Sequence, residues 1–107
     1  LQDCAGRCAF PQEDIFVSLP HWYEEVKRAC DETGVQFGVD IEAFKNCPAE
    51  NIRLHSREWS LLKDQLMVAG MFTSNITMYS CLNFRPGMGA FDEYKAYLEE
   101  RGLLNDR

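Results

Sequence analysis

The sequence predicts an all-α protein: a compact bundle of four to five short helices with an irregular N-terminal arm, stapled by disulfides. Three observations predict it. Apolar residues recur at helical spacing in several segments, turn-forming residues separate those segments, and five cysteines are spread along 107 residues. At 46% hydrophobic and 26% charged residues the chain can bury a core, and residues 1–107 read as a single helical domain.

Leu1 to Ser18 read as the irregular arm, broken by Gly6 and Pro11. Within it "EDIFVSL" suits a short helix or a strand equally. Pro20 then fits the first turn of a helix, where a missing N–H does no harm. "HWYEEVKRACDET" follows, with Trp22, Tyr23, Val26, Ala29 and Cys30 on one face, a surface pair at Glu24 and Arg28, and Gly34 as the stop. A short helix is expected over "IEAFKN", capped by Asp40 and ended by Pro48.

Asn51 or Ser56 can cap a longer helix over Arg57 to Met71. Its expected stripe is Trp59, Leu62, Leu66 and Ala69, widened by Leu61 and Met67. Residues 74–84 carry two patterns. Ile76, Met78, Ser80, Leu82 and Phe84 alternate as in a strand, whereas a helix capped by Ser74 would turn Met78, Cys81 and Leu82 inward. A strand needs a partner to satisfy its backbone, and none stands out, so a helix is expected. "RPGMG" is a turn. The last helix runs from Ala90 to Arg101, with Phe91, Tyr94, Tyr97 and Leu98 inward and Gly102–Leu103 closing it.

The cysteines are Cys4, Cys8, Cys30, Cys47 and Cys81. Only Cys4 and Cys8 are close in sequence. Their C-x-x-x-C spacing is one residue too long for a thioredoxin-type motif and lacks the second pair that a zinc site needs. Disulfides are the expected use: Cys4 or Cys8 with Cys30, and Cys47 with Cys81. The remaining thiol, Cys4 or Cys8, would suit a disulfide-linked homodimer or heterodimer. Asn75-Ile76-Thr77 is an N-glycosylation sequon, which with the cysteines points to a secreted glycoprotein. The chain opens on Leu1 with neither an initiator Met nor a signal-peptide core; it reads as processed or as a trimmed fragment, and removal of a secretory signal fits both this start and the cysteines.

The net charge of −6 and the single basic pair Lys27–Arg28 argue against nucleic acid, which demands clustered cations. The longest apolar run, "LMVAGMF", is far short of the ~20 residues of a membrane span.

Chemistry-bearing patterns are few. His21-x-x-Glu24 and His55-x-x-Glu58 could in principle meet as four metal ligands, but helical di-metal proteins use the reverse order with more carboxylates. "DETGVQFGVDIEAF" has an acidic start and glycines, yet Val35 and Gln36 stand where a calcium loop wants an oxygen ligand and a glycine. Neither supports a metal. No hydrolase elbow, P-loop or dinucleotide fingerprint is present, so no cofactor and no enzyme activity are expected.

Trp22, Tyr23, Trp59, Phe72, Met78 and Phe84 are the candidate partner or ligand surface. The expected function is protein–protein binding by a small secreted helical protein, as a ligand, effector or receptor-type module. The alternative is a carrier holding an apolar small molecule, such as a lipid, between helices.

Overall fold

Phe37, Val39, Ile41 and Ala43 are all buried, and this apolar alternation makes a strand where a helix over "IEAFKN" was expected. The period of two carries each successive side chain to the opposite face, which a helical spacing cannot do. The protein is described here from a computed structural model covering residues 1–6, 8–47, 52–79, 85–87 and 90–103, with side chains left out at 45–47 and 52–56. Its elements are α1 (Gln12–Thr33), β1 (Val39–Glu42), β2 (Phe44–Cys47), β3 (Ile52–Ser56), α2 (Trp59–Gly70), β4 (Ile76–Tyr79) and α3 (Phe91–Glu100).

The expected all-helical, disulfide-stapled bundle is therefore corrected. The described residues form three helices with two small sheets. β1 and β4 are parallel, with Val39 opposite Ile76 and Glu42 opposite Tyr79. β2 and β3 are antiparallel, with an irregularity between Lys45 and Cys47. Gln2 adds a parallel bridge to Asp40 on the other side of β1. The N-terminal segment, β1 and β4 thus run side by side in one direction. Parallel neighbours need long crossovers, and α1 and α2 lie in those two connections. The strand partner missing for Ile76–Tyr79 is Val39–Glu42, which overlaps the cap and first residues of the helix expected over "IEAFKN".

Helix α1 begins at Gln12, well before Pro20, so the irregular arm is shorter than residues 1–18. Ile15, Leu19 and Tyr23 are buried at intervals of four, with Val26 and Cys30 beside them, and this apolar stripe runs straight through the proline. Burial of that stripe outweighs the roughly 3 kcal/mol that an interior proline costs. Gly34, at φ +74°, ends the helix in the left-handed conformation that favours glycine. On the outer face Arg28 pairs with Glu25, not Glu24, and Lys27 pairs with Asp31.

Helix α2 starts at Trp59 behind Glu58, so neither Asn51 nor Ser56 caps it. Its inward residues are Leu62, Gln65, Val68 and Ala69, while Met67 is exposed. α3 keeps its expected limits to within a residue, and Leu103 N–H reaches the Leu98 carbonyl at 2.9 Å to close it. α1, α2 and the sheet residues Val39, Ile41, Ile76 and Met78 share one core, so both helices cover the same face. The opposite face carries Asp40, Glu42, Thr77 and Tyr79, of which Thr77 and Tyr79 are exposed among the described residues, Asp40 is half-buried and Glu42 is buried. No helix is long and apolar enough to cross a membrane among the described residues.

No disulfide joins Cys4, Cys8 or Cys30 among the described residues. The geometry explains why the expected staple to Cys30 does not form from Cys8. Cys30 lies 18 residues along α1, about 27 Å from its start, and the four residues from Cys8 to Gln12 can reach back at most ~14 Å, so the pair stays beyond the ~7 Å limit for bridged Cα atoms. The expected Cys47–Cys81 bridge lies outside the described residues, since Cys81 and the Cys47 side chain are not among them.

Candidate functional site

Among the described residues, the carboxyl ends of the parallel strands hold a cluster of buried polar groups: Asp3, Glu42, Arg57 and Gln65, all almost wholly buried. In parallel α/β sheets this end is where ligands and functional groups gather.

The cluster begins as a problem of backbone accounting. Even-numbered residues of β1 turn their N–H and C=O groups away from β4, toward the N-terminal segment. Asp40 N–H reaches the Leu1 carbonyl at 2.7 Å, and Asp3 N–H reaches the Asp40 carbonyl at 3.0 Å. Beyond that point the N-terminal chain turns off into the 4–10 loop. Glu42 N–H is then accepted by the Asp3 side chain, Oδ1, at 3.2 Å. Ala5 N–H donates to the same oxygen at 3.1 Å. The Glu42 carbonyl is reached by Gln65 Nε2 at 3.2 Å, and that nitrogen also donates to Asp3 Oδ2 at 2.8 Å. Two side chains thus finish the edge of β1 where a strand no longer does.

Arg57 completes the cluster. Its Nε donates to Gln65 Oε1 and its Nη2 to the Phe10 carbonyl. Its own N–H holds the Ala43 carbonyl at 3.1 Å, which fixes the start of α2 against β1. Gly6 is pressed onto the same place: a Cβ there would overlap the Phe44 carbonyl and lie 3.0 Å from Glu42 Cβ. Gln12 Nε2 to Asp64 Oδ2, at 2.9 Å, ties the start of α1 to α2 nearby.

Burial raises the Asp3 carboxyl above its ordinary value, opposed by its bonds to Gln65, Ala5 and Glu42, while the charge of Glu42 raises it further. Burial lowers the Arg57 guanidinium, and the neighbouring acids Glu58, Asp3 and Glu42 pull it back up. Tyr23 is pushed well up by burial, then by Asp3, Cys4 and Glu42, so its phenol stays protonated. Its hydroxyl is buried with no hydrogen-bond partner among the described residues. The cluster holds two acids, a guanidinium and an amide out of water and in mutual contact. A substrate would have to displace the N-terminal loop to reach them, so what this arrangement does chemically is position backbone.

The sequence-derived surface residues do not form one patch. Tyr23 is core, edge-on to Phe37 and Phe72 at 6.1 and 5.7 Å. Phe72 and Met78 are half-buried against that core. Trp59 lies in the seam between α2 and α3, against Tyr94 and Tyr97 at 5.6 and 5.5 Å. Trp22 is exposed, and Phe84 lies outside the described residues. Asn75 is exposed at the start of β4, its side-chain nitrogen over Gly38, and Thr77 Oγ1 donates to Asp40. His21 and Glu24 are both exposed, the His55 side chain lies outside the described residues, and no group of three metal-ligating side chains occurs among the described residues. Asp31 is taken by Lys27 at 2.9 Å.

Asp3, Glu42, Arg57 and Gln65 were missed in the sequence. One signal was available: Gln65 falls three residues after Leu62 and four before Ala69, inside the apolar stripe of α2. An amide in that position needs buried partners. No known family, no curated protein and no solved structure matches the chain.

Proposed function

We propose that the chain acts by binding another protein, through addition of an extended segment to the outer edge of β4. One observation supports this above others. Ile76 and Met78 turn their backbone N–H and C=O groups away from β1, and no described residue pairs with them. Parallel sheets are normally multi-stranded and covered, and an open edge is a template for another chain. Proteins that keep such an edge to themselves blunt it with charge, proline or a bulge. Ile76-Thr77-Met78-Tyr79 has none of these, in a chain where 26% of residues are charged. Strand addition supplies affinity through the main chain and specificity through alternate side chains. Ile76, Met78 and the half-exposed Tyr79 would provide the latter.

The carrier reading draws less support. Two depressions formed by described residues are open: one of about 370 Å³ beside Gln36, Asp40, Asn75 and Thr77 is mostly polar-walled, and one of about 250 Å³ beside Phe72 is more apolar but is edged by the charged Glu24, Lys27 and Arg28. An apolar ligand needs a concave apolar site. Secretion and a glycan at Asn75 stand as proposals on the sequon alone, since the Cys8 and Cys30 thiols withdraw the disulfide support.

The test is selection of displayed random peptides on the purified chain, followed by hydrogen exchange with the selected peptide bound. The expected peptides alternate apolar residues and slow exchange at Ile76 and Met78. Met78→Pro removes an outward N–H and leaves the β1 ladder intact, so it should abolish binding with the helical circular dichroism unchanged. Peptides that protect another surface, or no selection above background, would refute strand addition.

A further inference from the structure

Resting on the strand-addition reading, the geometry points to a second copy of this chain as an occupant of the β4 edge, paired antiparallel about a two-fold axis through Thr77. Three features favour a copy over an unrelated segment.

The first is charge. Each chain carries −6, so two copies repel unless the surfaces that meet are neutral. The run Ser74 to Tyr79 contains no ionisable acid or base other than the tyrosine phenol, and its Ile76 and Met78 offer backbone that no described residue pairs. Pairing there sets no like charges directly opposite one another.

The second is register. With Thr77 on the axis, Ile76 faces Met78 of the second copy, and Met78 faces its Ile76. Both residues have their outward N–H and C=O groups in position for a mutually bonded pair. On the core side an apolar residue meets an apolar residue. On the open side threonine meets threonine. The segment is thus complementary to itself, as an isologous two-fold interface requires.

The third is the open face. Asn75, Thr77 and Tyr79 share it, and in this register the exposed Tyr79 of one copy lies across from Asn75 of the other. The pairing would cover an aromatic ring that is half-exposed in the single chain. It also gives the Asn75 sequon a consequence: a glycan there would occupy the space taken by the second copy's tyrosine. A glycosylated chain should therefore remain single.

Sedimentation equilibrium on unglycosylated chain tests this. The expected result is a species of twice 12.3 kDa at micromolar concentration, returning to 12.3 kDa in Met78→Pro and in chain glycosylated at Asn75. Thr77→Lys, which sets two cations together on the axis, should also return it to the single-chain mass. Its side chain lies on the open face, so the fold should tolerate it. A single-chain mass for unmodified protein at about 200 µM, well above the micromolar constants of ordinary specific association, would overturn self-pairing. A dimer that survives both Met78→Pro and Thr77→Lys would overturn it too. Selected peptides that protect Ile76 and Met78 on a purely monomeric chain would leave strand addition standing and remove only the second copy.

Discussion

Gln65 and Asp3, 62 residues apart, meet through a 2.8 Å hydrogen bond beneath the end of β1. Gln65 spends both ends of its amide in one place: Nε2 on Asp3 and the Glu42 carbonyl, Oε1 on Arg57. It touches Asp3, Glu42 and Arg57 alike.

Gln65→Leu keeps the side-chain volume and removes all three bonds. Arg57 Nε and the Glu42 carbonyl then lie buried without their partner. The expected loss is about 3 kcal/mol, the range for stranding buried polar groups next to charge. Urea denaturation followed by circular dichroism measures it, and a loss under about 1 kcal/mol would mean the cluster is wet.

Asp3 sets a pH dependence. Its carboxyl is raised above 3.8 by burial, so the folded chain holds this proton to higher pH than the unfolded chain does. Between those two values the folded state binds more protons, and stability falls as pH rises through the window. Asp3→Asn has no proton to lose there. The difference in stability between wild type and Asp3→Asn should therefore shift in favour of the variant as pH rises from the ordinary carboxylate range through the raised value of the folded chain, whatever the variant's constant cost from facing two amides together. Parallel profiles for the two proteins would contradict this account of the site.

Much of the helical part was legible. The α3 stripe and its Gly102 stop, and the Gly34 stop of α1, follow from spacing and from the left-handed conformation of glycine. The sheet was harder, for a specific reason. Val39–Glu42 and Ile76–Tyr79 are only four residues each, and each lacks a visible partner when the other is read as a helix. Two wrong assignments supported one another. The alternation through Phe37, Val39, Ile41 and Ala43 was the signal that would have separated them. Asp3 had no local signal at all, because its role depends on where β1 ends.

Tyr23→Phe should be neutral or stabilising by up to about 1 kcal/mol, since it deletes a buried hydroxyl that has no partner among the described residues and keeps the ring contacts to Phe37 and Phe72. A clear loss on thermal unfolding would show that the hydroxyl is hydrogen-bonded to water in solution.

Two glycines should respond very differently to alanine. At Gly6 the added methyl runs into the Phe44 carbonyl, and a cost of about 3 kcal/mol or more is expected from overpacking against backbone. At Gly34 nothing lies within 4 Å, and only the positive φ is penalised, at about 1 kcal/mol. Equal losses in the two variants would mean that the N-terminal loop does not lie against β2.

The Asp3–Gln65 contact also orders events in time. A ribosome makes Asp3 some sixty residues before Gln65. Until α2 emerges, the carboxyl that caps β1 has no amide to meet, and the strand edge it covers is bare. The segment around Asp3 thus waits for one made much later before it is fixed, and nascent protein arrested before Gln65 should expose an edge that the finished protein conceals.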